Sequence, residues 1–313
     1  MNTHDLIIIG GGPAGYSAAL YGARASLDTF VIERGMPGGQ IATSDLIDNY
    51  PGIPECSGAE LGQRFADHAD RAGATSTYGA VQRIARDDEG WFTVETDMES
   101  YRARAVIVAT GANPRKAGFE GEDTFRGRGV SYCATCDGMF YHGKHVFIIG
   151  GGNTAVEEAL YLSKIAERVE LIVRKPAFRA SHGMVGRLLA HENISVRYQT
   201  RIARVSGDTL IQSITFEDTT TGVQHDETFD AGAVGIFVAT GHDPATELVQ
   251  DLVELAPDGG VITDARMATS TPGLYCAGDL RSTPFRQVIT ATSDGAIAAV
   301  SAYQFLEEHG YLS

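Results

Sequence analysis

The chain carries one pattern twice, and this repetition restricts the possible folds more than any other feature. Asp5-Leu6-Ile7-Ile8-Ile9-Gly10-Gly11-Gly12-Pro13-Ala14-Gly15 is echoed by Val146-Phe147-Ile148-Ile149-Gly150-Gly151-Gly152-Asn153-Thr154-Ala155. Each copy is an apolar run of strand length that breaks into glycines and opens an alanine-rich helical stretch. A second strand follows each helix, Thr29-Phe30-Val31-Ile32-Glu33 in the first copy and Val169-Glu170-Leu171-Ile172-Val173-Arg174 in the second. Strand, helix and parallel strand make a βαβ unit, so the sequence predicts two of them.

A closing echo lies downstream of each, Ala105-Val106-Ile107-Val108-Ala109-Thr110-Gly111 and Gly235-Ile236-Phe237-Val238-Ala239-Thr240-Gly241. The later segment Leu274-Tyr275-Cys276-Ala277-Gly278-Asp279 has no fingerprint of its own and is expected to return to the first domain. A chain of 313 residues is long enough for two cores. The expected fold class is therefore α/β, with two Rossmann-like dinucleotide-binding domains of three-layer ββα form. The second, residues 114–243, is inserted into a first made of residues 1–113 and 244–313. The Gly and Thr clusters near Asp218–Gly222 and Pro257–Gly260 read as turns, and no long linker interrupts the chain.

A lone Gly-x-Gly-x-x-Gly is weak, because glycines gather in many turns. Here Gly10, Gly12 and Gly15 stand between a strand and a helix, with Glu33 ending the next strand. Gly10 permits the tight turn, Gly12 admits a pyrophosphate to the backbone, and Gly15 lets helix and strand pack closely. Glu33 can accept from ribose hydroxyls. In the second copy, Gly150-x-Gly152-x-x-Ala155, the acidic strand-end residue is replaced by Arg174 and Lys175, with Arg179 nearby. Those cations suit a ribose 2′-phosphate and favour NADPH over NADH, although a solvated basic turn would look the same.

If the second domain takes the nicotinamide, the first must hold a resident redox group. Gly278-Asp279 precedes Arg286-Gln287 and a helical stretch carrying Thr290 and Gly295. Asp279 can reach a ribityl or phosphate group and Gln287 a flavin ring, which points to FAD, since a flavin converts hydride into thiol electrons. For Asp279 alone, a helix-capping turn is an equal alternative.

Cys133-Ala134-Thr135-Cys136-Asp137 admits a redox disulfide, half of a zinc site, or unrelated thiols. No second cysteine pair or histidine pair follows at ligand spacing, so no metal is expected and the redox reading is preferred. Asp137 can donate and recover a proton as the pair opens, or simply cap a turn. Cys56 and Cys276 read as ordinary packing residues. Only four cysteines occur, too few for a secreted disulfide framework, and no charged signal precedes Leu6–Ile9, so a cytoplasmic location is expected. Acidic residues outnumber basic ones 40 to 25, which disfavours nucleic acid and anionic lipid, and no apolar run approaches a membrane span.

Taken along its whole length, the chain resembles the low-molecular-weight, bacterial-type thioredoxin reductases. The bearers are Gly10–Gly15, Gly38-Gly39-Gln40, Cys133-Ala134-Thr135-Cys136-Asp137-Gly138, Gly150-Gly151-Gly152-Asn153-Thr154-Ala155-Val156-Glu157-Glu158-Ala159, Phe178-Arg179-Ala180, and Gly278-Asp279 with Arg286-Gln287. The resemblance implies a homodimer in which NADPH reduces FAD, FAD reduces the Cys133–Cys136 disulfide, and the dithiol reduces thioredoxin or a similar redoxin. Rotation of the inserted domain would separate the half-reactions, and Cys136 would lie nearer the flavin. It adds Pro13, Ala14, Arg34, Gly39, Gln40, Asn49, Thr110, Gly111 and Val288 to the FAD set, and Asn153, Thr154 and Glu157 to the NADPH set. One departure stands out: the family commonly ends the second strand His-Arg-Arg, where this chain has Val173-Arg174-Lys175. Ferredoxin-dependent and oxygen-using flavin dithiol oxidoreductases of the same fold are the nearest alternatives. The glutathione-reductase class, with wider cysteine spacing and a catalytic C-terminal histidine, fits less well, and His309 is expected to be solvated.

Overall fold

A computed structural model describes residues 2–44 and 46–312. The chain divides into two compact units, Met1–Asn113 with Asp243–Ser313, and Pro114–His242.

The first unit opens with β1 (Asn2–Ile9), α1 (Pro13–Arg24) and β2 (Thr29–Glu33), the βαβ unit expected from the first repeat. It continues through α2 (Gly58–Arg71), β3 (Thr75–Tyr78), β4 (Val81–Arg86), β5 (Phe92–Thr96) and β6 (Ser100–Val108). The connection out is β7 (Ala112–Pro114). The sheet runs β3-β2-β1-β6-β5-β4. Leu6, Ile7 and Ile8 are wholly buried because β1 lies between two parallel neighbours, with Ile9 beside both Ile32 and Val108. Such strands are covered on both faces, which is why they read as unbroken apolar runs.

The second unit contains β8 (Val130–Ser131), α3 (Ala134–Asp137), β9 (His145–Ile149), α4 (Asn153–Leu162) and β10 (Arg168–Val173). After these come α5 (His182–Leu189), β11 (Ile194–Tyr198), β12 (Thr200–Ser206), β13 (Ser213–Asp218), β14 (Gln224–Thr228) and β15 (Val234–Val238). Its main sheet is parallel, in the order β11-β10-β9-β15-β8. Side chains of β9 alternate between two cores, as strand geometry requires. Val146 and Ile148 join the helices α4 and α5, whereas Phe147 joins Ile214 and Phe216 of the antiparallel β12-β13-β14 layer. Helices, parallel sheet and antiparallel sheet thus make three layers.

The return connection is β16 (His242–Pro244), which pairs with β7. The chain then re-enters the first unit with β17 (Leu274–Cys276) and α6 (Val288–Glu308). β17 joins the first sheet as the sequence suggests, parallel to the far half of β6: Val106–Val108 pair with β17, while Ser100–Ala103 pair antiparallel with β5. One strand therefore serves both a parallel sheet and an antiparallel layer. α6 lies close to α1, and a Cβ at Gly295 would come within 2.0 Å of the Ala14 carbonyl oxygen. Small residues at this crossing hold the N-terminus of α1 against the sheet.

Candidate active site

In the first unit the predicted residues gather beyond the carboxyl ends of β1, β2, β6 and β17, where open α/β sheets bind their ligands. Gly10 takes a positive φ of 105°, and a Cβ there would lie 2.5 Å from the Ala109 carbonyl oxygen. A Cβ at Gly15 would lie 1.8 Å from the Gly10 oxygen, so only glycine lets α1 seat on β1. Pro13 and Ala14 form the first turn of α1, and Gly12 precedes it without a side-chain cap. Space remains open over Gly12, whose nearest neighbour to an added Cβ is the Gly38 oxygen at 3.8 Å. Uncapped N–H groups facing open space are an anion cradle.

Gly39, Gln40 and Gly111 border that cradle: a Cβ on Gly39 would be 3.3 Å from Gly12 Cα, and one on Gly111 3.8 Å from Gln40 Nε2. Glu33 ends β2, where its carboxylate accepts from the Gly11 and Gly35 N–H groups. Arg34 follows it on the surface. Thr110 is turned to donate to the Ala245 carbonyl at 2.9 Å, a structural contact.

The C-terminal segment adds a second group. Gly278, with φ 78°, packs against Ala14, and its N–H donates to Asp294, which also pairs with Arg281 at 2.6 Å. Asn49 Nδ2 donates to Gln287 Oε1 at 3.2 Å, bringing two predicted residues together at the start of α6. Val288 packs on the small core of Ile47, Cys56 and Leu61. Nearby, Arg286 Nε is buried without a hydrogen-bond partner among the described residues. Burial also raises Asp279 to about 6, with Arg286 opposing the shift and Asp294 adding to it. A carboxylate short of donors and a guanidinium N–H short of an acceptor fit a polar ligand running from the cradle toward α6, as a flavin dinucleotide would.

Asp279 makes stability depend on pH. An ordinary aspartate titrates near pH 4, so between about pH 4 and 6 the folded, flavin-free chain keeps a proton that the unfolded chain has released. Stability is lost as pH rises through this window. Flavin-free Asp279→Asn should be more stable than flavin-free wild type at about pH 7.5, by up to roughly 2 kcal/mol, and unfold at a higher temperature. Thermal scans should show the difference closing toward about pH 4.5; a gap indifferent to pH would refute the assignment.

The second unit repeats the cradle with different chemistry. A Cβ at Gly150 would meet the Ala239 oxygen at 2.5 Å and Ala155 at 2.8 Å, while one at Gly152 meets nothing. Asn153 accepts from Ser181 N–H, and the Arg179 N–H donates to the Gly151 oxygen at 2.7 Å, so the loop bearing Arg179 is tied to the fingerprint. Thr154 and Glu157 are exposed on α4. Arg174 and Lys175 leave the end of β10 with their carbonyls held by Thr219 and the Gln199 N–H. Among the described residues, none of these three cations forms an ion pair, and all are exposed. Val173, in place of a basic residue, is buried against Gly151.

Cys133 and Cys136 form a disulfide with Cα atoms 5.3 Å apart. Cys133 precedes α3 in extended conformation and Cys136 lies within the helix, so a single turn presents both sulfurs half-exposed. Asp137 adjoins them and accepts from Ser131 Oγ at 2.6 Å, and the same oxygen accepts from the Cys133 N–H at 3.1 Å. The acid next to the pair is thereby fixed to the backbone of Cys133. Met139 and Phe140 follow on the surface. Cys56 and Cys276 are buried and unpaired, as expected of packing residues, and burial pushes both thiols up. His309 is exposed and hydrogen-bonds to the Phe305 carbonyl within its own helix turn.

Two residues of these sites, Ser131 and Asp294, escape the sequence reading, and Glu158 enters it only within the stretch that carries the resemblance. Ser131 and Asp294 act through contacts that no local pattern encodes. Glu158 had a signal, because it stands three residues after Ala155 and four before Leu162, both buried, and so places a carboxylate on the apolar side of α4.

The profile of the pyridine nucleotide-disulphide oxidoreductase family matches residues 4–295. A thioredoxin reductase of Peptoclostridium litorale is 41% identical over 98% of both chains, and one of Treponema pallidum is 43% identical over 97% of both. The crystal structure of a Streptococcus pyogenes thioredoxin reductase, 38% identical, superposes with a TM-score of 0.90 over 98% of this chain and 99% of its own. Two dinucleotide cradles and a two-residue-spaced disulfide meet in one sequence, and the chain belongs to the pyridine nucleotide-disulphide oxidoreductase family, in its group of low-molecular-weight thioredoxin reductases.

Proposed function

We propose that the chain takes electrons from NADPH, passes them through FAD to the Cys133–Cys136 disulfide, and reduces thioredoxin or a thioredoxin-like redoxin. The observation that carries this is the half-exposed disulfide sharing a unit with the basic second fingerprint. FAD would be held by Gly10, Gly12, Gly15, Glu33, Gln40, Asn49, Asp279, Arg286 and Gln287, and when bound it supplies two-electron transfer between nicotinamide and dithiol chemistry. Gly152 and Ala155 would receive the NADPH pyrophosphate, and Arg174, Lys175 and Arg179 its 2′-phosphate.

Asp137, oriented by Ser131, is placed to protonate the sulfur that leaves when the partner's disulfide is attacked. Exposed Met139 and Phe140 beside the pair offer an apolar contact to a small protein. Because the pair and the NADPH cradle share one unit and serve one flavin in the other, turnover calls for rotation about the connections β7 and β16. A homodimer is supported by Ile289, Ile297 and Val300, which form an exposed apolar stripe on α6. No helix of the described residues is long and apolar enough to cross a membrane, and we place the protein in the cytoplasm.

Anaerobic titration of the flavin-loaded protein tests the proposal. NADPH should bleach the flavin near-stoichiometrically, and oxidised thioredoxin should restore its colour. Bleaching by reduced ferredoxin alone, or colour restored only by oxygen, would move the chain to the corresponding relative; the intact Gly150, Gly152 and Ala155 cradle argues against the former.

A further inference from the structure

The turn that bears the cysteines is seated on the helix that begins at the NADPH cradle. A Cβ at Gly138, just past α3, would lie 3.0 Å from Leu162 and 3.3 Å from Tyr161 of α4. One turn earlier on α4, Glu158 reaches toward the other end of α3, where the Ala134 N–H favours its charged carboxylate. Ala134 is the residue between Cys133 and Thr135, and it is itself buried. The second oxygen, Oε2, is sealed from solvent and has no hydrogen-bond partner among the described residues. A buried carboxylate oxygen without a donor is costly when charged and tolerable when it carries a proton.

We infer that Glu158 is a positioning residue for disulfide exchange, fixing the redox turn through Ala134 and changing its own charge state in step with the charge on the two sulfurs. This role presupposes that the pair cycles, as proposed above. Burial raises Glu158 to about 7, with the Ala134 hydrogen bond opposing and Glu157 adding to the shift. The elements packed on α4 carry Cys136 and Asp137 on α3, with Cys133 just before it, His182 and Arg187 on α5, His145 on β9, and Arg168 and Glu170 on β10. His182 and Arg187 are exposed, and His145 and Arg168 are paired with Glu170. Among the described residues, the neighbouring Glu157 carboxylate adds to the upward shift of Glu158.

Reduction delivers two electrons, breaks the sulfur–sulfur bond, and leaves two sulfurs that take up one proton as a thiol and thiolate, or two as a dithiol. A neutral Glu158 leaves a neighbouring thiolate undisturbed, whereas an ionised one repels it. The reduced pair is therefore disfavoured at alkaline pH by a charge that Glu158→Gln removes while keeping an acceptor for Ala134.

The test equilibrates flavin-loaded wild type and Glu158→Gln with graded ratios of reduced and oxidised dithiothreitol, without NADPH, at about pH 6 and 8, and traps thiols under native conditions. At about pH 8 the variant's dithiol-to-disulfide ratio should exceed wild type about tenfold, or about 30 mV for a two-electron couple. At about pH 6 the two should coincide. No gap, or the same gap at both pH values, overturns the role of Glu158, since a merely structural loss would not follow its titration. Should the variant fail to hold flavin, infrared difference spectra of Asp137→Asn protein, oxidised minus reduced at about pH 7, decide the matter. A changing protonated-carboxyl band supports the inference and its absence defeats it. A wild-type pair that never exchanges with dithiothreitol sinks the redox reading instead.

Discussion

Cys136→Ser protein should bind flavin like the wild type, oxidise NADPH with small flavin-directed acceptors at a comparable rate, and fail to reduce thioredoxin. Serine matches cysteine in shape and keeps the turn of α3, but its oxygen cannot form or break a bond equivalent to the 133–136 disulfide. The loss in disulfide turnover should be at least about a thousandfold, the scale of deleting a covalent nucleophile. Cys133→Ser should lose the same activity. The single-cysteine variants also separate the roles of the sulfurs: whichever retains the attacking thiol will accumulate a mixed disulfide with its partner, because the resolving sulfur is gone. A spectrophotometric assay of thioredoxin-coupled reduction of a dye disulfide checks the first result, and mass spectrometry of trapped adducts the second. Substantial thioredoxin reduction by Cys136→Ser would show that electrons leave by another route.

Not all of this chemistry was equally visible in the sequence. The buried parallel strands were, because burial on both faces leaves them almost wholly apolar: Leu6, Ile7, Ile8 and Ile9 in β1, Val146, Phe147, Ile148 and Ile149 in β9. The fingerprint glycines stood out because backbone atoms occupy the space their side chains would need. The antiparallel β12-β13-β14 layer was mostly hidden. Its outer face is polar, with Arg201 and Glu217 paired across strands at 2.7 Å, and only the turn after Asp218 announces itself. Thr110 sits in a recognisable motif yet spends its hydroxyl on Ala245, a contact no spacing rule predicts. Ser131, Asp294 and Glu158 matter through what the fold brings to them: a cysteine-flanking acid, a glycine N–H, and the amide of Ala134. Residues that create a backbone shape leave a local trace, and those that complete another residue's hydrogen bonding leave almost none.

In the function proposed above, nucleotide choice turns on the basic strand end, and reversing it should have a large effect. Val173 is buried against Gly151, so in that reading recognition of a 2′-phosphate would fall to Arg174, Lys175 and Arg179. Arg179 is anchored through its own N–H on the Gly151 oxygen, whereas the Arg174 and Lys175 side chains are exposed and held only through their carbonyls. Hydrogen bonds to charged groups contribute about 1.5–3 kcal/mol each, and about 1.4 kcal/mol is a factor of ten. Replacing Arg174 and Lys175 together with glutamate should therefore raise the KM for NADPH at least about a hundredfold, with kcat little changed because neither residue lies on the redox pair. The KM for NADH should move far less, since that ligand brings no 2′-phosphate for the glutamates to repel. Salt should weaken NADPH binding to the wild type, and in the double variant that influence should vanish or reverse, as expected when screening acts on a repulsion in place of an attraction. Steady-state kinetics with both nucleotides at two ionic strengths distinguish the cases: parallel losses for NADPH and NADH would mean that the substitutions damaged the cradle itself, and an unchanged preference would take these residues out of nucleotide selection.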